Sequence, residues 1–171
     1  MGRYFNSNNF DGKFAFAVQS STDPEIFGME EQPPTEITYY LSGYEDNKEN
    51  IEKILDEQYD ILGYPKEKRI YEIEKQEELD PLYDDLSPYV YKCVKTEEVP
   101  KGIISYGGGN GWWKLIAPKE LHHLSEVEFN QKYSIIPKSN QAPLAQARIT
   151  LGIKILSDLR KDDYCELYAE L

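Results

Sequence analysis

Residues 103–117, IISYGGGNGWWKLIA, form the stretch whose residue types come nearest to a phosphate-binding motif. A P-loop requires a lysine after its last glycine, where this chain has Trp112, and a dinucleotide-binding fingerprint requires a third glycine at that same position. Asn110 and Gly111 between two apolar runs are instead typical of a type I′ hairpin. The stretch therefore predicts a hairpin tip rather than a phosphate cradle.

The same tip remains a candidate contact surface. Adjacent residues of a strand point to opposite faces, so one of the two tryptophans is expected to lie away from the core, beside bare glycine backbone. The alternative is that this tryptophan packs beneath a loop. The candidate ligand contacts here are Gly108, Gly109, Asn110, Trp112 and Trp113.

Arg148 is the second unusual residue, because it lies in the middle of an apolar helical stripe that includes Leu144 and Leu151. A guanidinium in such a place must be paired, reach solvent along its own stem, or line a cavity. If the guanidinium is paired or reaches solvent, Arg148 has a structural role. If it lines a cavity, Arg148 is an anion-binding residue at the base of a pocket.

No set of residues predicts catalysis or metal binding. His122 and His123 are adjacent and diverge by about 100° on a helix, so they do not chelate one metal. Cys93 and Cys165 lie outside any spacing typical of a zinc site or a disulfide framework. We therefore predict no catalytic residue, no metal and no cofactor, and an enzyme stays the less favoured class.

The charge of the chain is segregated. Its net charge is −12, and residues 23–100 carry 22 acidic against 8 basic residues. Such a surface repels phosphate backbones, so direct nucleic-acid binding is not expected, whereas a protein with a basic surface is attracted. The alternative is that the acidity only maintains solubility. The predicted partner-binding face is one side of a helix and consists of Glu49, Glu52, Asp56, Glu57 and Asp60.

Hydrophobic periodicity predicts the elements that position these residues. Period-2 alternation indicates strands near residues 13–19, 36–41, 89–95 and 163–171, and helical spacing indicates helices over 46–62 and 143–161. Ser125, with Glu128 three residues later, predicts a capping box. The expected fold is a single α+β domain over residues 1–171, with a mainly antiparallel sheet, three to four helices and a highly acidic helical segment at residues 44–88.

The N-terminal sequence resembles the start of uncharacterised proteins from viral and environmental microbial genomes. The resemblance rests on Gly2-Arg3-Tyr4, Gly12-Lys13-Phe14, residues 18–21 (VQSS) and Phe27-Gly28. It covers about the first 28 residues and brings no assigned activity. It implies a viral or mobile-element accessory protein.

These observations together predict a non-enzymatic, acidic interaction protein. Its expected role is that of an inhibitor that occupies the basic, nucleic-acid-binding surface of a partner protein. The alternative is a protein that binds or sequesters a small, nucleotide-like anion in a pocket near Arg148 and the tip at Gly107–Trp113. The sequence has no apolar run long enough for a membrane span and no signal peptide, so we expect it in the cytoplasm, of the host cell if the protein is viral.

Overall fold

The computed structural model describes residues 3–7, 14–17, 23–32, 38–101 and 121–170. Within these ranges the chain forms four α-helices and two antiparallel sheets, which confirms the α+β fold class. The helices are α1 (Tyr44–Leu62), α2 (Leu79–Val90), α3 (Glu126–Lys132) and α4 (Ala142–Asp162). The strands are β1 (Arg3–Ser7), β2 (Phe14–Ala17), β3 (Glu30–Glu31), β4 (Thr38–Ser42), β5 (Tyr91–Lys95), β6 (Tyr133–Pro137) and β7 (Tyr164–Glu170).

The larger sheet has five strands in the order β2-β1-β7-β4-β3, and the smaller sheet pairs β5 with β6. Strand β7 is central, with Leu167 opposite Ser7 of β1 and opposite Tyr39 of β4. Because paired residues share a face, Phe5, Tyr39, Cys165 and Leu167 form one buried inner face, and each has no exposed surface. The alternating β7 sequence produces this face, since every second side chain points inward.

Helix α4 forms the centre of the core, as its apolar circumference predicts. Between Ala142 and Leu159 only Leu144 and Arg148 are partly exposed, and the other side chains are buried. The helix packs against α1, α2, β2 and β7. A helix covered on nearly all sides must be apolar all round, so the few polar side chains along it need partners of their own.

The boundary between α2 and β5, and the presence of β6, differ from what the sequence pattern predicts. Residues 79–90 form a regular helix although they contain Pro81 and Pro88, and the predicted strand begins only at Tyr91. Pro81 lies in the first turn, where its missing N–H costs no hydrogen bond. Strand β6 is not predicted by the sequence pattern, because its pairing with β5 comes from tertiary contacts.

A segment of irregular chain, residues 64–78, joins α1 to α2, and we call it the strap. It contains two short 3-10 turns, Lys66–Lys68 and Gln76–Glu78. In its middle, the Ile73 N–H donates to the Ser157 hydroxyl of α4 over 2.8 Å. The acidic segment predicted at residues 44–88 therefore consists of two helices and the strap between them.

Candidate functional site

The predicted acidic face lies on α1, as the helical spacing requires. Ile51, Leu55 and Tyr59 are fully buried against the core, which turns the carboxylates of the helix outward. Glu49, Glu57 and Asp60 are exposed, and Glu52 and Asp56 are partly covered. The helix ends at Gly63, whose φ of 70° lies in the left-handed region that glycine adopts without strain.

Asp56 and Asp60 are occupied by contacts within the chain. The Arg69 side chain of the strap is 4 % exposed, and its guanidinium lies 3.1 Å from Asp56 Oδ1 and 2.7 Å from Asp60 Oδ1. The same guanidinium lies over the Tyr59 ring, with 5.3 Å from Cζ to the ring centroid. Asp56 Oδ1 also accepts a hydrogen bond of 2.6 Å from the Tyr71 hydroxyl. These two carboxylates attach the strap to α1.

The other three side chains of the predicted face, those of Glu49, Glu52 and Glu57, differ in their exposure and contacts. The side chains of Glu49 and Glu57 make no hydrogen bond or ion pair with any residue in the described ranges, and both are exposed. Glu52 is partly covered and lies near Lys48, which also contacts Tyr44. The five predicted residues therefore comprise two that are available to a partner, one intermediate residue and two that hold the fold.

Acidic side chains extend beyond α1 over the strap and α2. Tyr44–Val90 contains 15 acidic and 6 basic residues, so this part of the chain carries nine of the 12 net negative charges. Twelve of those 15 acidic residues are exposed, against four of the six basic ones. The exposed set is Glu45, Asp46, Glu49, Glu57, Asp60, Glu67, Glu74, Glu77, Glu78, Asp80, Asp84 and Asp85.

Arg148 pairs with a buried carboxylate that the sequence pattern does not reveal. Its Nη2 lies 3.1 Å from Asp23 Oδ1, and the Asp23 side chain is only 3 % exposed. Burial raises the pKa of Asp23, while the neighbouring guanidinium lowers it. Of the three interpretations of Arg148, the structure therefore contains the first, a guanidinium paired with a carboxylate. Asp23 precedes α4 by more than a hundred residues, so sequence spacing gives no signal for this pair.

The pair predicts a specific pattern of stabilities. We expect Arg148→Met to lower the free energy of unfolding at pH 7 by about 3–5 kcal/mol, because it leaves Asp23 buried without its partner. The double variant Asp23→Asn/Arg148→Met should recover most of that loss, because it also removes the carboxylate. Urea unfolding followed by tyrosine and tryptophan fluorescence measures both. An Arg148→Met protein as stable as the wild type would show that the pair does not stabilise the fold.

A second polar group lies in the core between α4 and the sheet, and sequence reasoning missed it. Lys154, Asp158 and Cys165 each have no exposed surface. The Cys165 thiol donates to Asp158 Oδ2 over 3.4 Å, and Lys154 Nζ donates to Gln76 Oε1 of the strap. The Ser7 hydroxyl lies near enough to the Asp158 carboxylate to lower its pKa, although the pair lacks full hydrogen-bond geometry. The sequence does contain one indication of this group, because Lys154 and Asp158 are charged residues within the otherwise mostly apolar run 149–159.

Burial decides the protonation of this group. It raises the pKa of Asp158 to about 6, lowers the pKa of Lys154 to about 8, and raises the pKa of the Cys165 thiol well above its usual range. An uncharged thiol with no exposed surface is a poor nucleophile. The three side chains of this cluster have no exposed surface, and we expect their titration to change the stability of the fold.

The other chemical candidates are now placed or lie outside the described ranges. The tip residues Gly108, Gly109, Asn110, Trp112 and Trp113 fall outside them. Burial raises the pKa of Cys93 to about 11, so this thiol is protonated at neutral pH. Within the described ranges, no three His, Cys, Asp or Glu side chains are arranged to hold a metal ion. A cleft of about 270 Å³ lies between Lys95–Glu97 and Gln131–Tyr133, away from Arg148.

Comparison with protein-family models, curated proteins and solved structures gives no match to this chain. The N-terminal resemblance to viral and environmental sequences therefore stays a prediction. Among the helices that the structure describes, none combines the length and apolar character that a membrane span requires.

Proposed function

We propose that this protein binds a partner protein through the exposed carboxylates of α1, the strap and α2, and that it occupies a basic surface which otherwise holds nucleic acid. The observation that carries the proposal is the concentration of nine of the 12 net negative charges in Tyr44–Val90. Twelve of the 15 acidic residues in this range are exposed, and those without a partner in the chain, such as Glu49 and Glu57, are available to a partner protein. A field of one sign accelerates encounter with a surface of the opposite sign.

The form of the acidic surface supports competition with nucleic acid. The Cβ atoms of helix residues one turn apart stand about 5–6 Å from one another, and Glu45, Glu49 and Glu57 place exposed carboxylates in a row along α1. A row of this kind can contact the same lysines and arginines that contact a phosphate backbone. The N-terminal resemblance favours a viral or mobile-element inhibitor as the biological setting.

The test uses purified DNA- and RNA-binding domains, immobilised and probed with this protein at two salt concentrations. We expect at least one domain to bind, with an affinity that falls about tenfold or more between 50 and 300 mM salt. An oligonucleotide ligand of that domain should displace the protein. An affinity that does not change with salt concentration, together with no displacement by the oligonucleotide, would contradict the proposal.

The structure also specifies which substitutions test the face without unfolding the protein. Asp56 and Asp60 are unsuitable because they hold Arg69. We expect Glu49→Lys/Glu57→Lys to weaken binding at least about tenfold. The matched control is Glu97→Lys/Glu98→Lys, which changes two exposed residues outside α1, the strap and α2 and alters net charge equally. Equal losses in both variants would show that only net charge matters.

The alternative of a small anionic ligand has less support, because the Arg148 guanidinium already faces the Asp23 carboxylate. A panel of nucleotides tested by thermal shift addresses it directly. Stabilisation by one nucleotide in the wild type, lost in Asp23→Asn/Arg148→Met, would favour this alternative over the acidic face.

A further inference from the structure

A group of tyrosines lies on the outer face of the five-stranded sheet. Tyr164 and Tyr168 alternate along β7 with the buried Cys165 and Leu167, so both point away from the core. Tyr40 of β4 lies opposite Glu166, between them on the same face. These three tyrosines form what we call the tyrosine face.

All three side chains of the tyrosine face are exposed. Tyr40 is 38 % exposed, Tyr164 37 % and Tyr168 48 %. They are three of the four large hydrophobic side chains that are exposed within the described ranges, the fourth being Val127. The Tyr40 and Tyr164 rings stack, with centroids 6.0 Å apart and planes inclined by 24°. Clustered, prearranged tyrosines are typical of contact surfaces rather than of ordinary solvated sheet faces.

The charge near the three tyrosine rings indicates which kind of side chain a partner presents to them. Glu30 of β3 is exposed and lies opposite Tyr40, so it shares the outer face with the tyrosines. An arginine side chain suits both the exposed rings and the Glu30 carboxylate, since its planar guanidinium stacks on aromatic rings and pairs with carboxylates. Nucleic acid also stacks on aromatic rings, but its phosphates are repelled by the neighbouring carboxylate and by the net charge of −12. Two copies of this chain would bring the same glutamates and the same net charge together.

We propose that the tyrosine face is a second binding surface that receives an extended, arginine-containing segment of a basic protein, with guanidinium groups stacked on Tyr40, Tyr164 and Tyr168. This surface is built by the sheet and is separate from the carboxylates of α1. It does not depend on the partner proposed for those carboxylates. Tyr164 and Tyr168 lie four residues apart, about 13 Å along the strand, so two arginines four residues apart in an extended peptide span them.

The test uses a ten-residue peptide of alternating arginine and serine, and the same peptide with citrulline in place of arginine. The protein carries ¹³C-labelled tyrosine rings, so that nuclear magnetic resonance reports which rings contact the peptide. We expect the signals of Tyr40, Tyr164 and Tyr168 to shift with the arginine peptide, while the fully buried Tyr39 does not respond. The citrulline peptide, which lacks the charge, should bind at least about tenfold more weakly.

Variants separate this surface from the acidic face. Tyr40→Ser/Tyr168→Ser should weaken arginine-peptide binding about tenfold, whereas Tyr40→Phe/Tyr168→Phe should retain it within about threefold because the rings remain. Circular dichroism confirms that each variant is folded. Glu49→Lys/Glu57→Lys should leave the shifts of the three tyrosine signals in place, whatever it does to the partner of the acidic face.

Four results would overturn the proposal. One is peptide-induced shifts confined to α1 and the strap, and another is equal binding of the citrulline peptide. A third is an oligothymidine that binds the three rings more tightly than the arginine peptide does, which would assign the face to nucleic acid. The last is a concentration-dependent dimer that buries these rings, measured by sedimentation without peptide.

Discussion

Replacing Gly152 with valine is expected to lower the free energy of unfolding by about 3 kcal/mol or more, because the core has no room for the added side chain. A Cβ at this position would lie 2.6 Å from Leu55 Cδ2 and 2.6 Å from Phe27 Cε1. Leu55 and Phe27 are both fully buried, so neither side chain has space to withdraw. Gly152 is therefore the point at which α1 approaches α4 closely.

A double-mutant cycle identifies the cause. Glycine to alanine inside an ordinary helix stabilises it by about 1 kcal/mol, so Gly152→Ala should show the opposite sign here. In a Leu55→Ala background one of the clashing atoms is absent, and Gly152→Ala should then cost less than in the wild type. Urea unfolding of the four proteins measures the coupling. A higher melting temperature for Gly152→Ala alone would show that the two helices are not in close contact.

The second large effect concerns the charges of Lys154 and Asp158 in the core. In unfolded chains an aspartate has a pKa of about 3.9 and a lysine about 10.4. Folding raises the pKa of Asp158 to about 6 and lowers that of Lys154 to about 8, in both cases mainly by burial. Desolvation therefore outweighs the attraction between the two groups.

The sign of the pH dependence follows from these shifts. Folded Asp158 holds its proton more tightly than the unfolded chain does, so its contribution to stability falls as pH rises from about 4 to about 6. Folded Lys154 holds its proton less tightly, so its contribution rises with pH from about 8 to about 10. Both side chains are charged between about pH 6 and 8, where their combined contribution is lowest.

We expect Lys154→Met/Asp158→Asn to be more stable than the wild type at pH 7 by about 1–4 kcal/mol, because it removes both buried charges. The difference should shrink at pH 4 and at pH 10. Asp84→Asn is the matched control, since it removes an exposed carboxylate on α2 and should change little at any of these pH values. A double variant less stable than the wild type at pH 7 would mean that the buried pair is net stabilising.

The strap connects the buried charges of α4 to helix α1. Lys154 contacts Gln76, Ser157 accepts from the Ile73 N–H, and Arg69 holds the other end of the strap to α1. The strap thus joins the core helix to the helix that carries the proposed partner-binding carboxylates. Substitutions at Lys154 or Asp158 are therefore expected to affect the packing of the strap against α4 and α1, and not the exposed carboxylates of α1 directly.

Local patterns in the sequence predict much of the fold. The alternation in residues 163–171 predicts strand β7, and the apolar circumference of residues 143–161 predicts the central helix α4. Ser125 caps α3 by accepting from the Glu128 N–H over 3.2 Å, as predicted, although the Glu128 carboxylate accepts from the Ser125 hydroxyl, so one of the two bonds of a capping box is present. These features depend on side chains within a few residues of one another, so periodicity and capping chemistry suffice to find them.

The tertiary structure decides what the charged and aromatic residues do. The helical pattern of α1 places five carboxylates on one side, but only the position of Arg69 shows that Asp56 and Asp60 are structural. Likewise, the partner of Arg148, the burial of Lys154 with Asp158, and the tyrosine face depend on residues distant in sequence. By itself the sequence determines the α+β class, the central helix and the outward acidity of α1. Long-range packing and strand register determine which of those charges are free and which aromatic rings are exposed, because neither follows from the spacing of residues along the chain.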